Sequence, residues 1–217
     1  MIVLKEPLWW EMLLKNLYYR MLKNELLVWM IPLLADVFVF LYPIYLLVVF
    51  LRWTIKKKFY YQSSALFTFF TSVLSVLINI IIQFVLEKSR PNIILWLSDF
   101  KTETILHKFL PESSFPSDHA AVSMAFASAI FFRWLKNKDK KFIIWGIVFY
   151  IFSLIMSFAR VTSWVHWPTD VIAGSIVWIA VAWVLFYTRI FAWFENKINK
   201  NLIKIFNKVF GIKNLYN

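Results

Sequence analysis

The chain has 217 residues, of which 61% are hydrophobic, only 17% are charged and three are glycine. Several apolar stretches reach the roughly 18–20 residues that cross a bilayer as a helix, and a soluble domain of this size is less apolar and more highly charged. The net charge of +12 is gathered in short loops and a tail, without the basic soluble face that nucleic-acid binding requires. The absence of cysteine rules out disulfides, thiolate chemistry and a zinc–sulfur site.

In chain order, residues 7–24 place Trp9, Trp10, Leu13, Leu14, Leu17, Tyr18 and Met21 toward one helical side, which predicts an interfacial helix in the headgroup layer. Glu6, Glu11, Lys15 and Arg20 interrupt this region and argue against a cleavable signal peptide. The first predicted span covers 27–51 and contains Pro32, Asp36 and Pro43; the second covers 64–86. A polar connection over 87–117 leads to a third span at 118–135, and the fourth and fifth follow at 142–158 and 170–187. After Arg189, Ile198, Leu202, Ile205, Phe206, Val209 and Phe210 recur at helical spacing between lysines, the pattern of a basic amphipathic helix on anionic lipid.

The expected fold is therefore an all-α membrane protein, a bundle of about five transmembrane helices with interfacial amphipathic helices at both ends. Its divisions are an N-terminal interfacial helix (1–26), a transmembrane domain (27–188) and a basic tail (189–217). Lysine and arginine concentrate in the loops 52–63 and 133–141 and in the tail, which the positive-inside rule assigns to the cytoplasm. The connections 87–117 and 160–169 then face outward together. A sixth crossing within 7–26 is the alternative; it moves the N-terminus inside and leaves every later loop in place.

Three short stretches meet on that outer side: EKSRP (87–91), FPSDHA (115–120) and ARVTSWVHWPTDVIAG (159–174). Two of the three histidines, His119 and His166, lie in them, as do Arg90 and Arg160, from a chain with six arginines against eighteen lysines. Guanidinium binds phosphate through paired donors, where ammonium offers a point charge, so the gathering points to a phosphate site. His166 and Asp170, four apart, share a side of a helix entrance, where the carboxylate can hold one ring nitrogen and leave the other as nucleophile or base. His119 opens another helix and can protonate a leaving oxygen. Ser117 stands at an N-cap position, where its hydroxyl and the free backbone donors can cradle an anion. Each stretch has a bland reading on its own: a helix cap, an interfacial histidine, a basic stop at a span end. Their joint occurrence on one membrane side favours the site.

The three stretches resemble the signature of the type-2 phosphatidic acid phosphatase superfamily: Lys-x6-Arg-Pro, Pro-Ser-Gly-His and Ser-Arg-x5-His-x3-Asp. The likeness spans about residues 64–188. It implies a metal-independent phosphatase without cofactor on a helical bundle. By this match His166 attacks phosphorus to give a phosphohistidine, Asp170 orients it, and His119 is the general acid. Arg90, Arg160 and Ser117 hold the phosphoryl oxygens. Gln83 falls where the family has lysine, with Lys88 the nearby candidate substitute in a different register. Ala159 replaces the serine before Arg160, and Asp118 replaces glycine. The form Phe-Pro-Ser-Asp-His-Ala is similar to the bacterial branch that dephosphorylates undecaprenyl diphosphate, which implies a bacterial plasma membrane and a lipid diphosphate substrate.

Two other readings belong beside this one: a phosphatase of phosphatidate or phosphatidylglycerol phosphate, and a non-catalytic phospholipid-binding or transport protein on the same scaffold. Asp36 bears on the latter, because an intramembrane carboxylate marks ion or substrate routes by default. The favoured expectation for it is a structural role near Pro32, with Asp36→Asn leaving hydrolysis largely intact. Lys101, His107 and Lys108 lie in the long connection, and no role is assigned to them.

Overall fold

A computed structural model of the chain describes residues 2–3, 5–95 and 113–212; Lys101, His107, Lys108 and the last five residues lie outside the described set. The described residues form α1 (Leu8–Met21), α2 (Glu25–Ile55), α3 (Phe59–Val85), a short α4 (Pro91–Ile94), α5 (Asp118–Asn137), α6 (Lys140–Thr162) and α7 (Pro168–Tyr187). The tail continues as α8 (Arg189–Trp193), a π-helical turn over Phe194–Asn199 and α9 (Lys200–Val209). Two two-residue strands, β1 (Ile2–Val3) and β2 (Leu86–Glu87), pair in parallel.

Among the described residues, four helices are long and apolar enough to cross a membrane: α2, α3, α6 and α7. Their outward faces carry exposed Leu33, Phe40, Ile81, Phe84, Leu154, Phe158 and Ile176, which only a lipid environment accommodates. This is a multi-pass, all-α membrane protein. The third expected span, now α5, is absent from that set for a physical reason. At 20 residues it is about 30 Å long, but it packs against α3, α6 and α7 and buries Ala120, Ala121, Ser123, Ala125, Ala127, Ser128 and Ala129. A helix walled in by other helices needs small residues for close approach, not lipid-soluble ones.

Helix α1 is shorter than a crossing, at 14 residues or about 21 Å. Its buried Leu14, Tyr18 and Met21 pack on Ile31, Leu95, Trp164 and Trp167, so it closes the end of the bundle formed by the α6–α7 loop. Of the residues expected on one apolar side, Leu14, Tyr18 and Met21 face the bundle, while Trp9 and Leu13 are half exposed and form an outward apolar surface with Leu8 and Met12. The tail also has two faces. In α9 and the turn before it the inward stripe is Asn199, Ile203 and Asn207, whereas Leu202, Ile205, Val209 and Phe210 are exposed. Asn199 Nδ2 donates to the Ser63 carbonyl at 3.0 Å, which pins the tail to the start of α3. The amphipathic period is present, with its exposed apolar side turned away from the protein.

These packings give the bundle two ends. The α2–α3 and α5–α6 turns and the tail lie at the lysine-rich end. The N-terminus, α1 and the starts of α5 and α7 lie at the other.

Candidate active site

The sparsely basic end is built by backbone bonds among the three motif stretches. The Ser114 N–H donates to the Lys88 carbonyl at 2.8 Å, and the Asn92 N–H donates to the Trp164 carbonyl at 3.0 Å. Trp167 Nε1 donates to the Ser89 carbonyl at 2.9 Å, and the Ser117 N–H to the Asp170 carbonyl at 3.3 Å. Gly174 permits the last of these approaches: a Cβ there would lie 3.2 Å from the Ser117 carbonyl oxygen. Remote segments are thereby held as one unit.

His166 sits in the α6–α7 loop, 1% exposed. Its Nδ1 lies 2.8 Å from the Ser114 carbonyl, an oxygen that can only accept, so Nδ1 carries the proton and Nε2 presents its lone pair. Nε2 faces Arg160 Nη2 at 3.3 Å. Burial, reinforced by the charges of Arg160 and Arg90, holds the His166 pKa well below the usual imidazole value, so the ring is neutral at pH 7. The expected partner, Asp170, is farther away, with Oδ2 at 3.8 Å from Nδ1. Asp170 is occupied elsewhere: Oδ2 accepts from the Trp167 N–H at 2.8 Å and Oδ1 from Lys88 Nζ at 2.5 Å. At the third position of α7 it caps the helix and fixes the loop that carries His166. The tautomer is set by Ser114, a backbone group that sequence patterns do not display.

Lys88, expected to face phosphate, is instead engaged by carboxylates. It is 4% exposed and pairs with Asp170 and with Glu6 from the segment before α1; Thr169 also bonds both Lys88 and Glu6. Arg90 is buried and donates through Nη1 to the Val165 carbonyl at 3.2 Å, beside His166. Arg160 is 1% exposed, and its Nε and the Ser117 hydroxyl are buried without a hydrogen-bond partner among the described residues. Two donors of this kind suit an anionic oxygen.

Asp36, expected in a structural role near Pro32, has these partners: Oδ1 accepts from Arg160 Nη1 at 2.9 Å and lies 3.0 Å from His119 Nε2. The helix α2 thus inserts a carboxylate between two expected site residues. Its signal was present in the sequence as an acid inside an apolar span, but nothing there named its partners.

Two of the three departures from the family pattern, Gln83 and Asp118, prove to be partners. Gln83 Nε2 donates to Asp118 Oδ1 at 3.1 Å and to the Pro116 carbonyl at 3.0 Å. Asn79, one turn earlier on α3, repeats both bonds at 2.5 and 3.1 Å. These amides clamp the turn that presents Ser117 and His119. Gln83→Leu removes one of the two donors from each acceptor and lowers stability by about 1–3 kcal/mol, read as a lower midpoint in thermal melts of the detergent-solubilised protein. Gln83→Lys restores a donor and stays near wild type; equal losses in both variants would contradict the clamp.

An all-helical membrane bundle that gathers two imidazoles and two guanidinium groups at one end defines the class of protein. The chain belongs to the PAP2 superfamily, whose family model matches residues 64–194. It is similar to the undecaprenyl-diphosphatase BcrC of Bacillus subtilis, with 30% identity over 128 residues, 58% of each chain. It is also similar to the putative undecaprenyl-diphosphatase YbjG of Escherichia coli, with 31% identity over 108 residues, 43% of this chain and 50% of that one. The chain thus spans little more than half the length of these relatives. No solved structure matches it.

Proposed function

We propose that the protein is an integral-membrane lipid phosphatase that hydrolyses undecaprenyl diphosphate to undecaprenyl phosphate and inorganic phosphate through a phosphohistidine at His166. One observation carries the reading above the rest: His166 has its Nδ1 proton committed to Ser114 and its Nε2 lone pair directed at an arginine. That is the arrangement of a nitrogen nucleophile beside a phosphoryl clamp.

The Nε2 lone pair forms the N–P bond as the bond from phosphorus to the bridging oxygen breaks, and His119 supplies a proton to that oxygen. Arg160, Arg90 and Ser117 bind the equatorial oxygens, whose charge grows in the transition state. Water then attacks phosphorus, His119 takes its proton, and the N–P bond breaks to return neutral His166. Asp170 and Lys88 act behind His166 by holding the loop rather than by touching phosphate. Helix α5 crosses the bilayer at the centre of the bundle, with α1 and the tail at the two interfaces. The site faces the outer side of a bacterial plasma membrane, opposite Lys56, Lys57, Lys58, Lys140 and Lys141. The names of the relatives and the Pro-Ser-Asp-His form support the polyprenyl diphosphate over a phosphatidate-type monoester.

Purified protein in detergent with chelator should release phosphate from undecaprenyl diphosphate, and that lipid should outcompete phosphatidate and phosphatidylglycerol phosphate. Absence of phosphate release would remove the reading, and preference for either monoester would reassign the substrate. Because protonation of His166 is driven well below the ordinary imidazole value of 6.5, the acid limb of kcat/KM against pH falls below that value. The nucleophile stays neutral, and active, as pH drops from 7 toward 6. An acid limb centred at 6.5 or above would show a different environment for the nucleophile.

A further inference from the structure

The two histidines are held by chemically different partners. His166 gives its Nδ1 proton to a neutral carbonyl, whereas His119 Nε2 meets the Asp36 carboxylate. A carbonyl complements a neutral imidazole, and a carboxylate complements an imidazolium. Asp36 comes from α2, outside the family-matched residues 64–194.

The same carboxylate oxygen also takes Arg160 Nη1. A guanidinium has a side-on edge made by Nε and the Nη that lies on its side, the edge that forks onto two oxygens of one anion. With Nη1 tied to Asp36, Nη2 is turned to His166 Nε2, and Nε is the buried donor left without a partner among the described residues. The fork is therefore presented where phosphorus must arrive. Asp36 is also less enclosed than its neighbours: its side chain is 22% exposed, against 1% for Arg160.

We propose that Asp36 is a positioning residue for the reaction, which pairs with His119 through Nε2 so that Nδ1 exchanges the proton with the leaving oxygen, and which locks Arg160 with its Nε–Nη2 edge toward the phosphoryl group. In the first step the proton moves from His119 Nδ1 to the oxygen released by phosphorus, and in the second the attacking water returns a proton to Nδ1. Asp36 neither gains nor loses a covalent bond. The inference rests on the phosphatase reading for its kinetic arm and on geometry alone for its spectroscopic arm.

The test is Asp36→Asn in the full-length protein, an isosteric change that removes the charge. For phosphatidate, whose alkoxide leaving group needs a proton, kcat falls roughly 100-fold, the lower end of what general acids contribute. For p-nitrophenyl phosphate, whose leaving group needs none, only the loosened Arg160 edge is felt, and kcat falls less, by about tenfold. KM changes less than kcat in both cases. Loss of the same size on both substrates, or on neither, would overturn the role. With ¹⁵N-histidine labelling, Asp36→Asn should shift the Nε2 resonance of His119 and leave that of His166 in place; an unmoved His119 signal would overturn the pairing. Were the wild-type protein inactive on every ester, the phosphatase reading would fail while the resonances still decided the Asp36–His119 contact.

Discussion

On the proposed mechanism, His166→Ala lowers kcat on undecaprenyl diphosphate by on the order of 10⁴-fold or more, because the proposed nucleophile has no substitute. The two other histidines are His107, outside the described residues, and His119, which is held on Asp36. Since His166 is buried, alanine also leaves a void and orphans the Ser114 carbonyl. His166→Asn separates these effects: its amide can still donate to Ser114 from the position of Nδ1, so it should melt close to wild type while remaining as inactive as alanine. An asparagine variant with a tenth or more of wild-type turnover would show that His166 is a structural residue and that the attacking group lies elsewhere.

Arg160→Lys is the second large effect. Lysine preserves the charge, which would suffice if Arg160 only attracted anions. The geometry asks for more: one guanidinium holds Asp36 through Nη1 and faces His166 through Nη2, with Nε left for an oxygen. A single ammonium can hold Asp36 or grip phosphate from its point position, but it cannot offer the planar fork. Turnover should fall by about 10²–10³-fold, the cost of removing one oriented donor set from a transition-state site, with little change in melting temperature. Near-normal turnover for Arg160→Lys would mean that charge alone is used.

Much of this architecture is legible before any coordinates. Long apolar runs fix α2, α3, α6 and α7 because lipid imposes a simple demand on every outward residue. That demand fails for α5, whose neighbours are protein, and there the sequence shows alanine and serine where span composition looks for leucine. For α1 and α9 periodicity tells that a helix has two faces but not which residues meet protein: Asn199 turns inward because Ser63 offers it partners there. Motif spacing located His119, His166, Arg90 and Arg160. It could not assign their partners, since Ser114 acts through its backbone, Glu6 arrives from 82 positions before Lys88, and Asp36 comes from a helix with no motif at all. Gln83 and Asp118 each look like a loss when compared singly with the family pattern; only their adjacency in space shows one change answering the other.

The most direct measurement is rapid quenching of the protein with undecaprenyl diphosphate labelled at the terminal phosphorus, followed by peptide mapping of the bound label. An acid-labile, base-stable phosphoramidate is expected on the peptide containing His166, formed within one turnover and absent from His166→Asn. Label on His119, on a serine or on a carboxylate, or complete turnover with no protein-bound phosphorus, would contradict the proposed phosphohistidine.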